Sequence, residues 1–248
     1  MRFFLGTHIP AWLWTPDEDG GELFISARRL RRYRRWRPAL VDWALDSGGF
    51  SELHQNGSWD AVPAAQYAAE VQRAQREVGR LQWAAVQDWM CEEVVLNKTG
   101  LSVEEHQDRT ITSLIELSHL APDVPWAPVV QGWREDDYMR HIVAYAVRGI
   151  DLTEFPVVGV GSICRRSGTK EAEAIMRRIS RQGIRVHAFG FKTLGLRRCA
   201  PVIASSDSLA WSYTARRERI RLDGCAHSNC ANCRKWASMW RNKMLEGL

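Results

Sequence analysis

Residues 41–50 read Val-Asp-Trp-Ala-Leu-Asp-Ser-Gly-Gly-Phe. The first half, Val41–Leu45, has apolar side chains on both faces, as a strand buried in a parallel sheet requires. The second half, Asp46-Ser47-Gly48-Gly49-Phe50, turns abruptly polar and glycine-rich. Two glycines let the backbone approach a ligand closely. A tight turn with Asp46 as a helix N-cap would use the same residues. Six further apolar runs follow the same plan: Phe3–Gly6, Leu81–Val86, Trp126–Val130, Pro156–Val160, Val186–Phe189 and Pro201–Ala204. Their C-terminal ends carry Gly6-Thr7-His8, Gln87-Asp88, Gln131-Gly132, Gly159-Val160-Gly161-Ser162, Gly190 and Ser205-Ser206-Asp207.

Helical patterns lie between the runs. Tyr67, Val71, Ala74 and Val78, with Pro63 before and Gly79 after, predict a helix over 63–78. Ser102 and Glu105 form a capping box opening a helix over 103–119. Further helices are expected over 135–148, 170–182 and 234–246. Strand and helix alternating through 248 residues predict an α/β fold, a (β/α)8 TIM-like barrel. The eighth strand is expected near Arg219–Leu222 or as a degenerate one, and an open doubly wound sheet is the competing architecture. In a barrel every polar strand end reaches one face, where active sites are built. The expected division is a catalytic barrel over 1–222 and a small zinc-binding C-terminal appendage over 223–248.

The composition, 45% hydrophobic and 25% charged, belongs to a globular chain with a real core. No apolar run is long enough for a transmembrane helix, and the apolar N-terminus lacks the basic segment and cleavage site of a signal peptide. A cytoplasmic location, in a bacterium or a phage-infected host cell, is expected, with no membrane partner. The net charge of +5 is uneven: residues 28–37, Arg-Arg-Leu-Arg-Arg-Tyr-Arg-Arg-Trp-Arg, hold seven arginines and no acid. Such a block repels itself unless anions neutralise it, so Arg28, Arg31, Arg32, Arg34 and Arg35 are candidate phosphate contacts. A solvated helix face anchored by Leu30, Tyr33 and Trp36 is the alternative. Among the 12 tryptophans, Trp89, Trp133 and Trp211 follow strand-end motifs and are candidates to line the pocket or stack on bases.

Asp46 and Asp207 bring two carboxylates to one face, the arrangement glycosidic-bond chemistry needs: one attacks or stabilises the anomeric carbon while the other moves protons. Asp88 adds a third, suited to a ligand rich in N–H donors such as guanine; a cap or a salt bridge is its alternative use. Cys225, His227, Cys230 and Cys233 offer four zinc ligands within nine residues. If all four bind, no open coordination position remains and the Zn2+ is structural. A redox Cys-x-x-Cys would leave Cys225 and His227 unused.

At these residues the sequence resembles the tRNA-guanine transglycosylase superfamily. Asp46-Ser-Gly-Gly-Phe matches its Asp-Ser-Gly-Gly-Phe signature, Val129-Val-Gln-Gly its Val-Gln-Gly segment, and the C-terminal cysteine cluster also fits. The opening Phe4-Leu-Gly-Thr-His-Ile-Pro-Ala-Trp-Leu is more similar to the DNA-directed branch, the DpdA-type enzymes that insert 7-deazaguanines into DNA. The resemblance, over residues 3–236, implies Asp207 as nucleophile and Asp46 as the proton-transfer group. It implies that Asp88, Gln131, Gly132, Gly161, Ser162, Phe50 and His8 bind the base, with Phe50 stacking on it. It further implies a glycosyltransferase exchanging guanine in DNA for a free 7-deazaguanine base such as 7-cyano-7-deazaguanine, through a covalent aspartyl-glycosyl intermediate, with room for a homodimer or a partner protein. Two departures stand out: His227 replaces the second cysteine of the tRNA enzymes' zinc run, and Val158-Gly-Val-Gly-Ser replaces their usual Gly-Gly form. A tRNA-directed enzyme, a non-catalytic zinc-bearing nucleic-acid-binding protein, and a hydrolytic nucleosidase or DNA glycosylase are the alternatives.

Overall fold

The two-sided apolar runs become strands that all run parallel. The computed structural model describes residues 1–16, 21–246 and 248. Its strands are β1 (Arg2–Thr7), β2 (Leu23–Ser26), β3 (Trp43–Asp46), β4 (Leu81–Ala85), β5 (Trp126–Ala127), β6 (Val129–Val130), β7 (Val158–Val160), β8 (Val186–Ala188) and β9 (Ser205–Ser208). They form one sheet in the order β5-β4-β3-β2-β1-β9-β8-β7-β6. The two ends of that order, β5 and β6, are separated in the chain only by Pro128. Proline has no N–H for the ladder and so interrupts one strand rather than separating two. Its carbonyl still accepts from the Gly159 N–H at 2.8 Å. The sheet is therefore a nearly closed TIM-like barrel of eight strand positions.

Two strands lie elsewhere than the sequence reading places them. The eighth is β2, second in the chain, and not a strand near Arg219–Leu222. The last strand is Ser205–Ser208, one step beyond Pro201–Ala204. Its Asp207 thus stands within a strand, paired with Phe4 of β1, and does not follow one.

The helices are α1 (Ala27–Leu30), α2 (Gly49–Asn56), α3 (Ala64–Glu77), α4 (Glu93–Thr99), α5 (Val103–Leu120), α6 (Glu135–Val147), α7 (Lys170–Ser180), α8 (Thr193–Cys199), α9 (Ala210–Arg217) and α10 (Arg234–Leu245). The α3 periodicity buries Tyr67, Ala68, Val71 and Ala74 against the barrel, and the Tyr67 hydroxyl donates to the Ala85 carbonyl of β4 at 2.7 Å. Each large apolar side chain so buried contributes about 1.5–3 kcal/mol. The Ser102–Glu105 capping box opens α5 as expected. Ala237 and Met244 of α10 join the main core, so the C-terminal helix packs on the barrel. No helix among the described residues is long and apolar enough to cross a membrane.

Candidate active site

Alternation along each strand sends every second side chain into the barrel. Phe4 of β1, Phe24 of β2, Trp83 of β4 and His187 of β8 meet there, with Phe189 just beyond β8. They form an aromatic floor. Gly159 leaves the space that Phe189 occupies: a Cβ on it would lie 2.4 Å from the Phe189 ring. Above the floor, at the C-terminal ends of the strands, opens a pocket of about 580 Å³, large enough for a small-molecule ligand such as a nucleoside.

Asp46, Asp88 and Asp207 all line this pocket. Burial raises the Asp46 carboxyl to about 7, helped by the nearby charges of Asp88 and Asp207 and opposed by hydrogen bonds from the Gly48 N–H and the Ser26 hydroxyl. Gly48 adopts φ +86°, a left-handed conformation that favours glycine and turns the chain sharply from β3 into α2. Burial likewise raises Asp88, to about 6. Its Oδ1 accepts from the Ser47 hydroxyl at 3.0 Å and its Oδ2 from the Gln131 amide. A Cβ on Gly49 would lie 2.9 Å from Asp88 Oδ1, so any side chain there would displace that carboxylate. Asp207 Oδ1 accepts from the Gly190 N–H at 2.9 Å and lies 3.3 Å from His187 Nε2.

The remaining base-binding candidates divide. His8, Phe50, Gly161 and Ser162 line the pocket. Gln131 is fully buried behind Asp88, and its Oε1 accepts from the Ser162 hydroxyl at 2.7 Å. A Cβ on Gly161 would strike that amide at 2.2 Å, so the glycine makes room for the network. Gly132 lies outside the pocket against Asp137 and Tyr138. Phe50, on the rim, stacks on His54 and lies under the Arg165 guanidinium, 5.0 Å from its centroid. Trp89 and Trp211 are buried, and exposed Trp133 is covered by Arg166.

The arginine segment is a single helical turn, α1, followed by turns. Leu30 is buried, Tyr33 packs on Trp14, and Trp36 lies beneath Arg73. Arg28, Arg29 and Arg32 line the pocket. Arg31 instead makes a two-oxygen ion pair with Glu70 at 2.8–2.9 Å. Arg34 and Arg35 are exposed away from the pocket lining. The sequence reading did not single out Arg29, Ser26, Ser47 or His187. Period-two alternation in β8, which sends His187 inward with Phe189, carries the signal for the histidine.

Cys225, His227, Cys230 and Cys233 place one ligand atom each within 4.8 Å of one another. The Cys225 and Cys233 sulfurs are 4.0 Å apart and His227 Nε2 is 3.2 Å from the Cys230 sulfur. Tetrahedral zinc, with bonds of about 2.0–2.3 Å, holds its ligand atoms roughly 3.3–3.8 Å apart. The set therefore fits one ion with little movement. The Leu222 N–H donates to the Cys230 sulfur at 3.3 Å, the kind of outer contact that orients a thiolate ligand. The segment also reaches the pocket, because Asn232 Oδ1 accepts from His8 Nε2–H at 2.6 Å.

No curated protein matches the chain significantly. It does match, over residues 1–247, the family described as DeoxyPurine in DNA protein A, DpdA. With the barrel, the three pocket carboxylates and the metal-ligand cluster already in place, this full-length match shows that the chain belongs to the DpdA family, whose role is that of a DNA-modifying guanine transglycosylase.

Proposed function

We propose that the chain exchanges guanine in DNA for a free 7-deazaguanine base, such as 7-cyano-7-deazaguanine, by double displacement. The observation that carries this reading is the meeting of Asp46, Asp88 and Asp207 in one pocket of a DpdA-family barrel. Asp207 attacks C1′ of the target nucleotide. The C1′–N9 bond breaks, its electron pair stays on N9, and Asp46 supplies the proton that lets guanine leave neutral. The incoming base then returns a proton from its N9 to Asp46. Its freed electron pair attacks C1′ and releases Asp207 as a carboxylate. No energy source is needed, because the ester conserves the glycosidic bond's energy. A carboxyl that titrates near 7 suits both halves, since an acid–base group works best with a pKa near the working pH.

Asp88, backed by Ser47 and Gln131, reads the N–H edge of the base, with Gly161, Ser162 and His8 around it and Phe50 stacking. The target nucleotide is flipped out of the duplex or offered in a single strand. Arg28, Arg29 and Arg32 hold the flanking phosphates at the mouth. Zn2+ on Cys225, His227, Cys230 and Cys233 is structural and staples the C-terminal segment of residues 223–248, which packs on the catalytic barrel of residues 1–222 through Ala237 and Met244. The test is incubation with labelled guanine and either DNA or tRNA. Label entering DNA alone supports the reading. Label entering tRNA alone makes the enzyme tRNA-directed, and guanine release without uptake makes it a hydrolase.

A further inference from the structure

His187 is fully buried, yet the exchange chemistry gives it no task. It sits in register with Ser205 of β9. Its Nδ1 is 2.8 Å from the Ser205 hydroxyl and its Nε2 is 3.3 Å from Asp207 Oδ1. Trp83, Phe189 and Phe24 close around the ring at centroid distances of 4.6, 4.8 and 5.5 Å, so it has little room to turn. A carboxylate only accepts hydrogen bonds, so the contact with Asp207 requires a proton on Nε2. The Ser205 hydroxyl can serve Nδ1 as a donor and so favour that tautomer.

We infer that His187 is a positioning residue for Asp207, fixing Oδ1 so that Oδ2 is the oxygen that attacks C1′. Oδ1 then takes two hydrogen bonds, from His187 Nε2–H and the Gly190 N–H. Among the described residues none donates to Oδ2, and the Asp207 side chain keeps 11% of its surface open where it lines the pocket. Tying one oxygen stops the carboxylate from swinging about its terminal bond. An attacking atom held in line gains most of its advantage from such restraint, and a misplacement of about 1 Å costs on the order of 10²-fold. The inference rests on Asp207 being the nucleophile, and the experiment separates the two.

The first measurement is 15N NMR of the histidine rings in the native chain, with the His187 signal assigned by its loss in His187→Gln. A protonated Nε2 is expected; an unprotonated Nε2 overturns the tie, whatever reaction the enzyme performs. The second is the rate of covalent adduct formation with a guanine-containing oligonucleotide. His187→Met, which keeps bulk but has no donor, should slow it about 10²-fold with oligonucleotide affinity within about twofold of native. His187→Gln, whose amide can reach Asp207, should recover at least ten-fold of that loss. A native rate in the Met variant, or no recovery in the Gln variant, overturns the inference. Absence of any adduct with the native chain overturns the Asp207 reading instead. The NMR measurement needs neither turnover nor a foldable Met variant.

Discussion

Asp46 folds with its carboxyl raised to about 7 from an ordinary value of 3.8, chiefly by burial. A folded-state pKa above the unfolded one means the folded chain binds the proton more tightly. The group's stabilising contribution is thus present below about 4 and is lost as pH rises through about 7. Asp46→Asn should therefore melt at a higher temperature than the native chain at pH 8, and the gain should shrink toward zero by pH 4. Thermal denaturation across that range checks the sign; a variant less stable at pH 8 contradicts it. At this scale Asp46, Asp88 and Asp207 were legible in the sequence as acids interrupting or following apolar runs. His187 was not, because an imidazole within an apolar stretch reads as core. Its task appears only once the β8–β9 register sets it beside Ser205 and Asp207.

At the scale of elements, the strands with two apolar faces were legible, and the two misplaced ones show why others were not. β9 reads Ser-Ser-Asp-Ser. Its inward positions face Asp207's pocket and its histidine support, so function replaces the hydrophobic pattern that would reveal a strand. β2 is four residues long and runs straight into α1 and the arginines, which hides so short an apolar run. The arginine segment divides by position: Arg28, Arg29 and Arg32 line the pocket, Arg28 also contacting Glu52 and Gln55, while Arg31 turns to Glu70 outside it. Replacing Arg28, Arg29 and Arg32 with glutamine should weaken binding to DNA and flatten its salt dependence by up to about three in log–log slope, roughly one for each phosphate no longer neutralised. Arg31→Gln should leave the slope unchanged and cost stability, because its guanidinium is held by Glu70. Titrations at several salt concentrations check both, and an equal slope change for Arg31 would contradict this division.

Across the whole molecule, the barrel closes through Pro128 and the metal-ligand segment leans on its pocket end through Asn232 and His8. The Cys/His metal-ligand cluster was legible because its four residues are close in sequence. The barrel itself was expected from the alternation of strand and helix, but its closing point at Pro128 was not, because it depends on pairing between distant strands. Elemental analysis should find one zinc per chain, and a metal-free protein of full stability would contradict a structural site. Cys230→Ser should lower the melting temperature by several degrees, since metal binding supplies folding free energy. It should disturb the chemistry only through the His8 side of the pocket.

The central claim, that Asp207 attacks and Asp46 moves the proton, meets its most direct test on a denaturing gel. Native chain, Asp207→Ala and Asp46→Ala are each incubated with a guanine-containing oligonucleotide and examined for a covalent protein–DNA band. The native chain should form the band, and Asp207→Ala should form none. Asp46→Ala should form it about 10²–10⁴-fold more slowly, the usual contribution of acid–base help, and then retain it. A band in Asp207→Ala that Asp46→Ala never forms would reverse the two roles, and normal guanine exchange by both variants would contradict the catalytic reading itself.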